Sequence, residues 1–111
     1  MTELHVDGQR IALDQDGYLC ELTDWSPSVA IALAEAEGLA LTPTHWAVLN
    51  ALREFYAEFQ LSPATRPLVK YIALKLGPET GNSACLNQLF KGTPAKLAAK
   101  LAGLPKPTNC I

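Results

Sequence analysis

The sequence predicts a mainly α-helical fold: about five helices, a small N-terminal β-hairpin and an extended, mobile C-terminal arm. Three observations carry that prediction. Helix-start chemistry recurs at nearly every break in the chain, apolar residues then follow at three- and four-residue steps, and strict alternation is confined to the N-terminal segment. The hairpin comes first. Leu4 and Val6 alternate with polar neighbours, Asp7-Gly8 supplies a tight-turn pair, and Ile11 and Leu13 resume the alternation on the return. A second pair, Asp16-Gly17, turns the chain into Tyr18-Leu19-Cys20, read as strand-like, with Cys20 packed as a small hydrophobe. So small a sheet needs helices to lie on.

Ser26-Pro27 places an N-cap oxygen before a proline whose missing N–H costs nothing in a first turn. That helix runs through Val29, Ile31 and Leu33 to Gly38, a natural stop. Thr42-Pro43 repeats the device for a longer helix, where Trp46, Leu49, Leu52, Tyr56 and Phe59 form one broad apolar stripe. His45, in its first turn, is expected to be a neutral structural histidine, because the positive helix end opposes protonation. Ser62-Pro63-Ala64-Thr65 restarts the chain into Leu68, Val69, Ile72 and Leu76, stopped by Gly77-Pro78. A short helix around Ala84 to Phe90 follows, most easily making Cys85 structural. Thr93-Pro94 then opens the last helix, through Leu97 and Leu101 to Gly103. Helix–turn–helix corners fit residues 60–66 and 77–81, and the apolar stripes are core faces.

At 111 residues there is room for one domain: residues 1–103 as the globular part, 104–111 as an arm. Hydrophobic content of 49% with 18% charge describes an ordinary globule. No apolar run approaches the ~20 residues of a membrane span, and MTELHVDGQR lacks a basic head followed by an apolar stretch. Three cysteines, an odd count, then read as thiols in a reducing cytoplasm. Phosphate-cradling glycine loops and CxxC pairs are missing, and His5 and His45 have no ligand-like spacing, so neither cofactor nor metal is expected. The net charge of −2 hides an asymmetry: −7 from Met1 to Thr44 and +5 from His45 onward. A basic face for an acidic partner or a nucleic acid, and two oppositely charged parts packed together, account for it equally well.

The candidate chemistry lies at the end. Gly103 closes the last helix, and the prolines of Leu104-Pro105-Lys106-Pro107 resist both helix and central strand. The seven steps from Gly103 to Cys110 then reach about 22 Å, enough to carry a thiol into another protein's active site. The alternative is a frayed tail with an incidental cysteine. The α-carboxylate of Ile111 disfavours a thiolate beside it, while Lys106 and Lys100 oppose that effect. Lys96 and Lys100 share one helical face with Lys91 nearby, a place to receive the arm or dock an acidic partner. A solvated basic face is the commoner origin of such lysines.

These residues resemble the TusE/DsrC family of sulfur carriers and sulfite reductase gamma subunits. The resemblance spans nearly the whole chain: Asp16-Gly17-Tyr18-Leu19, Trp25-Ser26, Glu37-Gly38, Leu41-Thr42-Pro43, His45-Trp46 and Arg53-Glu54-Phe55-Tyr56. It continues through Ser62-Pro63-Ala64, Arg66-Pro67-Leu68-Val69-Lys70, Gly81-Asn82-Ser83 and Leu89-Phe90. Its most specific part is Ala102-Gly103-Leu104-Pro105-Lys106-Pro107 followed by Cys110. The resemblance implies a compact helical domain with a mobile arm on which Cys110 accepts sulfur as a persulfide. DsrC-type members carry a second arm cysteine eleven positions earlier, where this chain has Ala99, which points to the TusE-like branch. A local departure, Lys91-Gly92-Thr93 between Phe90 and Pro94, lies outside the arm.

The expected function is therefore a sulfurtransferase of the carrier type. Cys110 would take sulfur from a TusBCD-like donor complex and pass it to an MnmA-like tRNA thiouridylase for wobble 2-thiouridine synthesis. Lys96, Lys100, Pro105, Lys106 and Pro107 would serve as arm and docking residues, with contact to tRNA indirect and no membrane involved. The alternative is a DsrC-like partner of dissimilatory sulfite reductase or a related signalling protein, which needs another thiol in place of Ala99, Cys85 being the nearby candidate. A helix–turn–helix nucleic-acid binder would have only Arg66, Lys70 and Lys75 in its basic segment, few contacts for specific binding.

Overall fold

The computed structural model describes residues 2–106. Strands β1 (Thr2–Val6) and β2 (Gln9–Leu13) pair antiparallel, Leu4 opposite Ile11 and Val6 opposite Gln9. Asp7 (φ 50°) and Gly8 (φ 81°) are both left-handed, the pairing a two-residue turn needs to match the twist of its strands. Val6, Ile11 and Leu13 are buried, and β1 lies against the first helix.

Tyr18-Leu19-Cys20 departs from the expected strand. It makes one bridge, Leu13 to Leu19, and then enters a 3₁₀ turn at Leu22–Asp24. Tyr18 and Leu19 are buried but Cys20 is exposed, which corrects its expected packing. With only one bridge to hold it, the chain bends at Cys20 toward the 3₁₀ turn, which leaves that side chain to solvent.

Five α-helices follow among the described residues: α1 (Pro27–Ala36), α2 (Pro43–Phe59), α3 (Thr65–Leu76), α4 (Ser83–Leu89) and α5 (Pro94–Leu101). Ser26, Thr42 and Asn82 cap α1, α2 and α4 by accepting the N–H of Val29, His45 and Cys85. Helix α3 starts at Ala64 with no side-chain cap. α1 stops as expected at Gly38, where the Leu39 N–H reaches back to the Ala34 carbonyl.

The core centres on α5. Its Ala95, Leu97, Ala98, Ala99 and Leu101 are buried, and it packs against α1, α2, α3 and α4. Three alanines let neighbours approach closely, while Leu97 and Leu101 each contribute about 2 kcal/mol of apolar burial. The α2 stripe buries Val48, Leu49 and Leu52 but leaves the core after Tyr56. Phe59 is half exposed, its ring tilted against Phe55 with centroids 4.6 Å apart. No helix among the described residues is long and apolar enough to cross a membrane.

His45 is structural, as its position predicted. Its Nδ1 accepts the Thr42 N–H at 3.1 Å, so the ring proton sits on Nε2, which donates to the Leu89 carbonyl at 2.8 Å. The ring thereby caps α2, ties it to the end of α4, and meets Phe90 edge-on at 5.3 Å. His45→Ala removes half of a capping box and leaves a carbonyl without its donor, an expected loss of about 2–4 kcal/mol. Urea denaturation should show a lowered midpoint at unchanged slope. A loss below about 1 kcal/mol would mean the ring does not bridge the two helices.

Candidate functional site

The site is assembled where α5 ends. A helix leaves its last carbonyls without backbone donors, and here each finds a partner. Gly103 (φ 74°) bends the chain so that the Gly103 N–H bonds Lys100 O at 3.1 Å and the Leu104 N–H bonds Ala99 O at 2.9 Å. Two carbonyls remain. Trp25 Nε1 donates to Leu101 O at 2.8 Å, and Arg53 Nη1 donates to Ala102 O at 2.6 Å. Arg53 also lies over the Trp25 ring, 4.0 Å from its centroid. Burial lowers the Arg53 pKa from its ordinary value, and the guanidinium still stays charged at neutral pH.

The segment expected to be arm begins under constraint. Leu104 is buried, and Ser62, itself buried, donates its hydroxyl to the Pro105 carbonyl at 2.5 Å. Lys106 reaches the exposed Asp16 carboxylate at 3.3 Å. Pro107 and Cys110 lie outside the described residues.

Beside this root runs a groove of about 260 Å³, lined by Asp16, Tyr18, Glu37, Lys96, Lys100 and Lys106. Lys100 pairs with Glu37 at 3.1 Å, partly buried, and lies 5.6 Å from the Tyr18 ring centroid. The Tyr18 hydroxyl donates to the Lys96 carbonyl at 3.0 Å, fixing the groove floor to α5. Lys91 reaches the Glu37 carbonyl. Lys96 is exposed and has no ion-pair partner among the described residues. The acidic first part of the chain thus packs on the basic second part at Glu37–Lys100 and Asp16–Lys106. Such pairs contribute at most about 1 kcal/mol each, so they orient more than they stabilise.

The structure therefore brings Lys96, Lys100 and Lys106 to one groove, while Pro105 is held by Ser62. Ala99, at the position of the absent second cysteine, is fully buried in α5. Cys85 is half-buried on α4. Of the basic residues on α3, Lys75 is engaged with Glu54 at 3.7 Å and with the Tyr71 ring, leaving a thin surface for nucleic acid. No cluster of three or more His, Cys, Asp or Glu placed to hold a metal occurs among the described residues. Trp25, Arg53 and Ser62 escaped reasoning from spacing. Their only signal was membership of the pairs Trp25-Ser26, Arg53-Glu54 and Ser62-Pro63.

A five-helix domain with a hairpin, holding the root of a terminal segment beside a basic groove, is a recognisable architecture. The family model described as "DsrC like protein" matches residues 5–111, and the chain belongs to that family. Sulfurtransferase TusE of Pectobacterium atrosepticum is 54% identical over 108 residues, 97% of this chain and 99% of that protein. Sulfurtransferase TusE of Escherichia coli is 51% identical over 105 residues, 95% of this chain and 96% of its own length. Among solved structures, the NMR structure of Allochromatium vinosum DsrC superposes with a TM-score of 0.90 at 50% identity, covering 98% of this chain and 97% of that one. The oxidized gamma-subunit of dissimilatory sulfite reductase from Archaeoglobus fulgidus gives 0.86 at 36% identity, covering 99% and 100%.

Proposed function

We propose that this protein is a sulfur carrier whose working thiol is Cys110. The Cys110 thiolate attacks the outer sulfur of a donor persulfide. The donor S–S bond breaks, the donor leaves as its thiolate, and Cys110-S-SH forms with no net oxidation or reduction. An acceptor thiolate then takes the outer sulfur and releases the Cys110 thiolate. The donor is a TusBCD-like complex and the acceptor an MnmA-like tRNA thiouridylase making wobble 2-thiouridine, so contact with tRNA is indirect and the work is cytoplasmic. Residues 1–103 act as the body and 104–111 as the arm, with Pro105, Lys106 and Pro107 guiding it and Lys96 and Lys100 docking acidic groups.

The observation that supports this reading most is the held root beside the lysine groove. Four backbone steps lead from Lys106 to Cys110, a reach of about 13 Å. Lys96, without an ion-pair partner among the described residues, leaves the groove net positive, which suits an anionic thiolate or persulfide. Ala99 in place of a second arm thiol favours passing sulfur onward over closing an intramolecular bond.

The test is peptide mass mapping without reductant after incubation with a persulfidated protein donor. An addition of about 32 Da, one sulfur atom, is expected on the Cys110 peptide alone. Cys20 is the stringent internal control, because it is exposed yet has no arm to carry it. Sulfur on Cys20 or Cys85 with none on Cys110 would overturn the assignment.

A further inference from the structure

We propose that Trp25, Arg53 and Ser62 are positioning residues that aim the carrier thiol, an inference that rests on the sulfur-carrier reading. They come from three separate places in the fold: the turn before α1, the middle of α2 and the α2–α3 connection. All three donate to main-chain carbonyls of one short stretch, at Leu101, Ala102 and Pro105. A helix end needs such donors only to satisfy its carbonyls, and water does that for most surface helices. Here the bonds continue past the helix to Pro105, where no helical carbonyl is at stake. What the third bond adds is direction.

The consequence is a matter of chain length. With the stretch clamped through Pro105, four backbone steps lead from Lys106 to Cys110. With the Ser62 and Arg53 bonds removed, Trp25 still holds Leu101, the Gly103 and Leu104 N–H groups still bond α5 and Leu104 stays buried, so the count starts at Leu104, six steps away. Effective concentration of a tethered group falls roughly as the −3/2 power of tether length, so release dilutes the thiol at a docked partner about twofold. The intrinsic reactivity of the thiol is untouched, since none of the three residues carries the sulfur or its proton. Positioning thus separates two rates: transfer within a protein–protein complex, and reaction with a small reagent that needs no aim.

The experiment measures both rates on the full chain for Ser62→Ala, for the double variant Ser62→Ala/Arg53→Leu, and for Arg53→Lys, which keeps a cation able to donate to Ala102 O. Sulfur uptake by Cys110 is followed from a persulfidated protein donor and from glutathione persulfide. The double variant is expected to lose about twofold in the saturated rate from the protein donor, with half-saturation and the glutathione persulfide rate unchanged. Arg53→Lys should lie near wild type. Ser62→Ala, which leaves both helix-end bonds in place, keeps the test available if the double variant does not fold, and should show a smaller loss of the same kind. Equal losses with both donors, or no loss with either, would overturn the positioning role while leaving Cys110 as the carrier. A wild-type chain that takes sulfur on Cys110 from neither donor would instead sink the carrier reading, and this inference with it.

Discussion

Cys110→Ser is expected to fold as the wild type does and to take up no sulfur, a fall of at least about a thousandfold, because a serine hydroxyl is not ionised near neutral pH and forms no persulfide. Folding should be unaffected because the described core is complete by Leu104. Cys20→Ser and Cys85→Ser are the matched comparisons. Cys20 is exposed with its sulfur at no packed surface, and Cys85 sits half-buried on α4, so both variants should keep wild-type uptake. The measurement is labelled-sulfur transfer from a persulfidated donor, with far-UV circular dichroism to verify the fold. Uptake by Cys110→Ser within tenfold of wild type would refute the assignment. So would a Cys20→Ser protein that loses it, since exposure without an arm would then be the property that matters.

The helices were legible because their boundaries are written in local chemistry. Ser26-Pro27 and Thr42-Pro43 cap and start α1 and α2, and Gly38 and Gly103 end α1 and α5. A cap acts within three residues, so a sequence displays it directly. What stayed hidden acts across long separations. Ser62 looked like another helix-start residue, yet α3 begins without it and its hydroxyl binds Pro105, 43 residues on. The bonds from Trp25 to Leu101 and from Arg53 to Ala102 span 76 and 49 residues, and nothing in periodicity encodes them. Cys20 was misjudged for a smaller reason: one bridge, not a strand, holds that segment, and the chain bends away at Cys20. The lysine groove was half legible. Spacing on one helix gave Lys96 and Lys100, but only folding shows that Glu37 and Asp16, from the acidic part of the chain, close it from the far side.

Gly103→Ala should be strongly destabilising, because two costs fall on one atom. A side chain at φ 74° is strained by about 1–2 kcal/mol. A Cβ there would also stand 2.3 Å from Trp25 Cδ1, too close for any packing, so the indole must move. Moving it weakens its bond to Leu101 O and withdraws the ring from beneath Arg53, adding about 1–2 kcal/mol. The sum is about 3 kcal/mol, or roughly 12 °C in thermal midpoint for a chain of this size. Gly92→Ala separates the two costs: φ is 84° there, but the added Cβ meets nothing within 4 Å, so only the strain of about 1–2 kcal/mol should appear. The difference between the variants is then the contribution of the Trp25 contact. Equal losses would mean that the indole does not rest on the Gly103 backbone. In that case Trp25 could not hold the root of the arm, and Arg53 and Ser62 would have to aim the thiol without it.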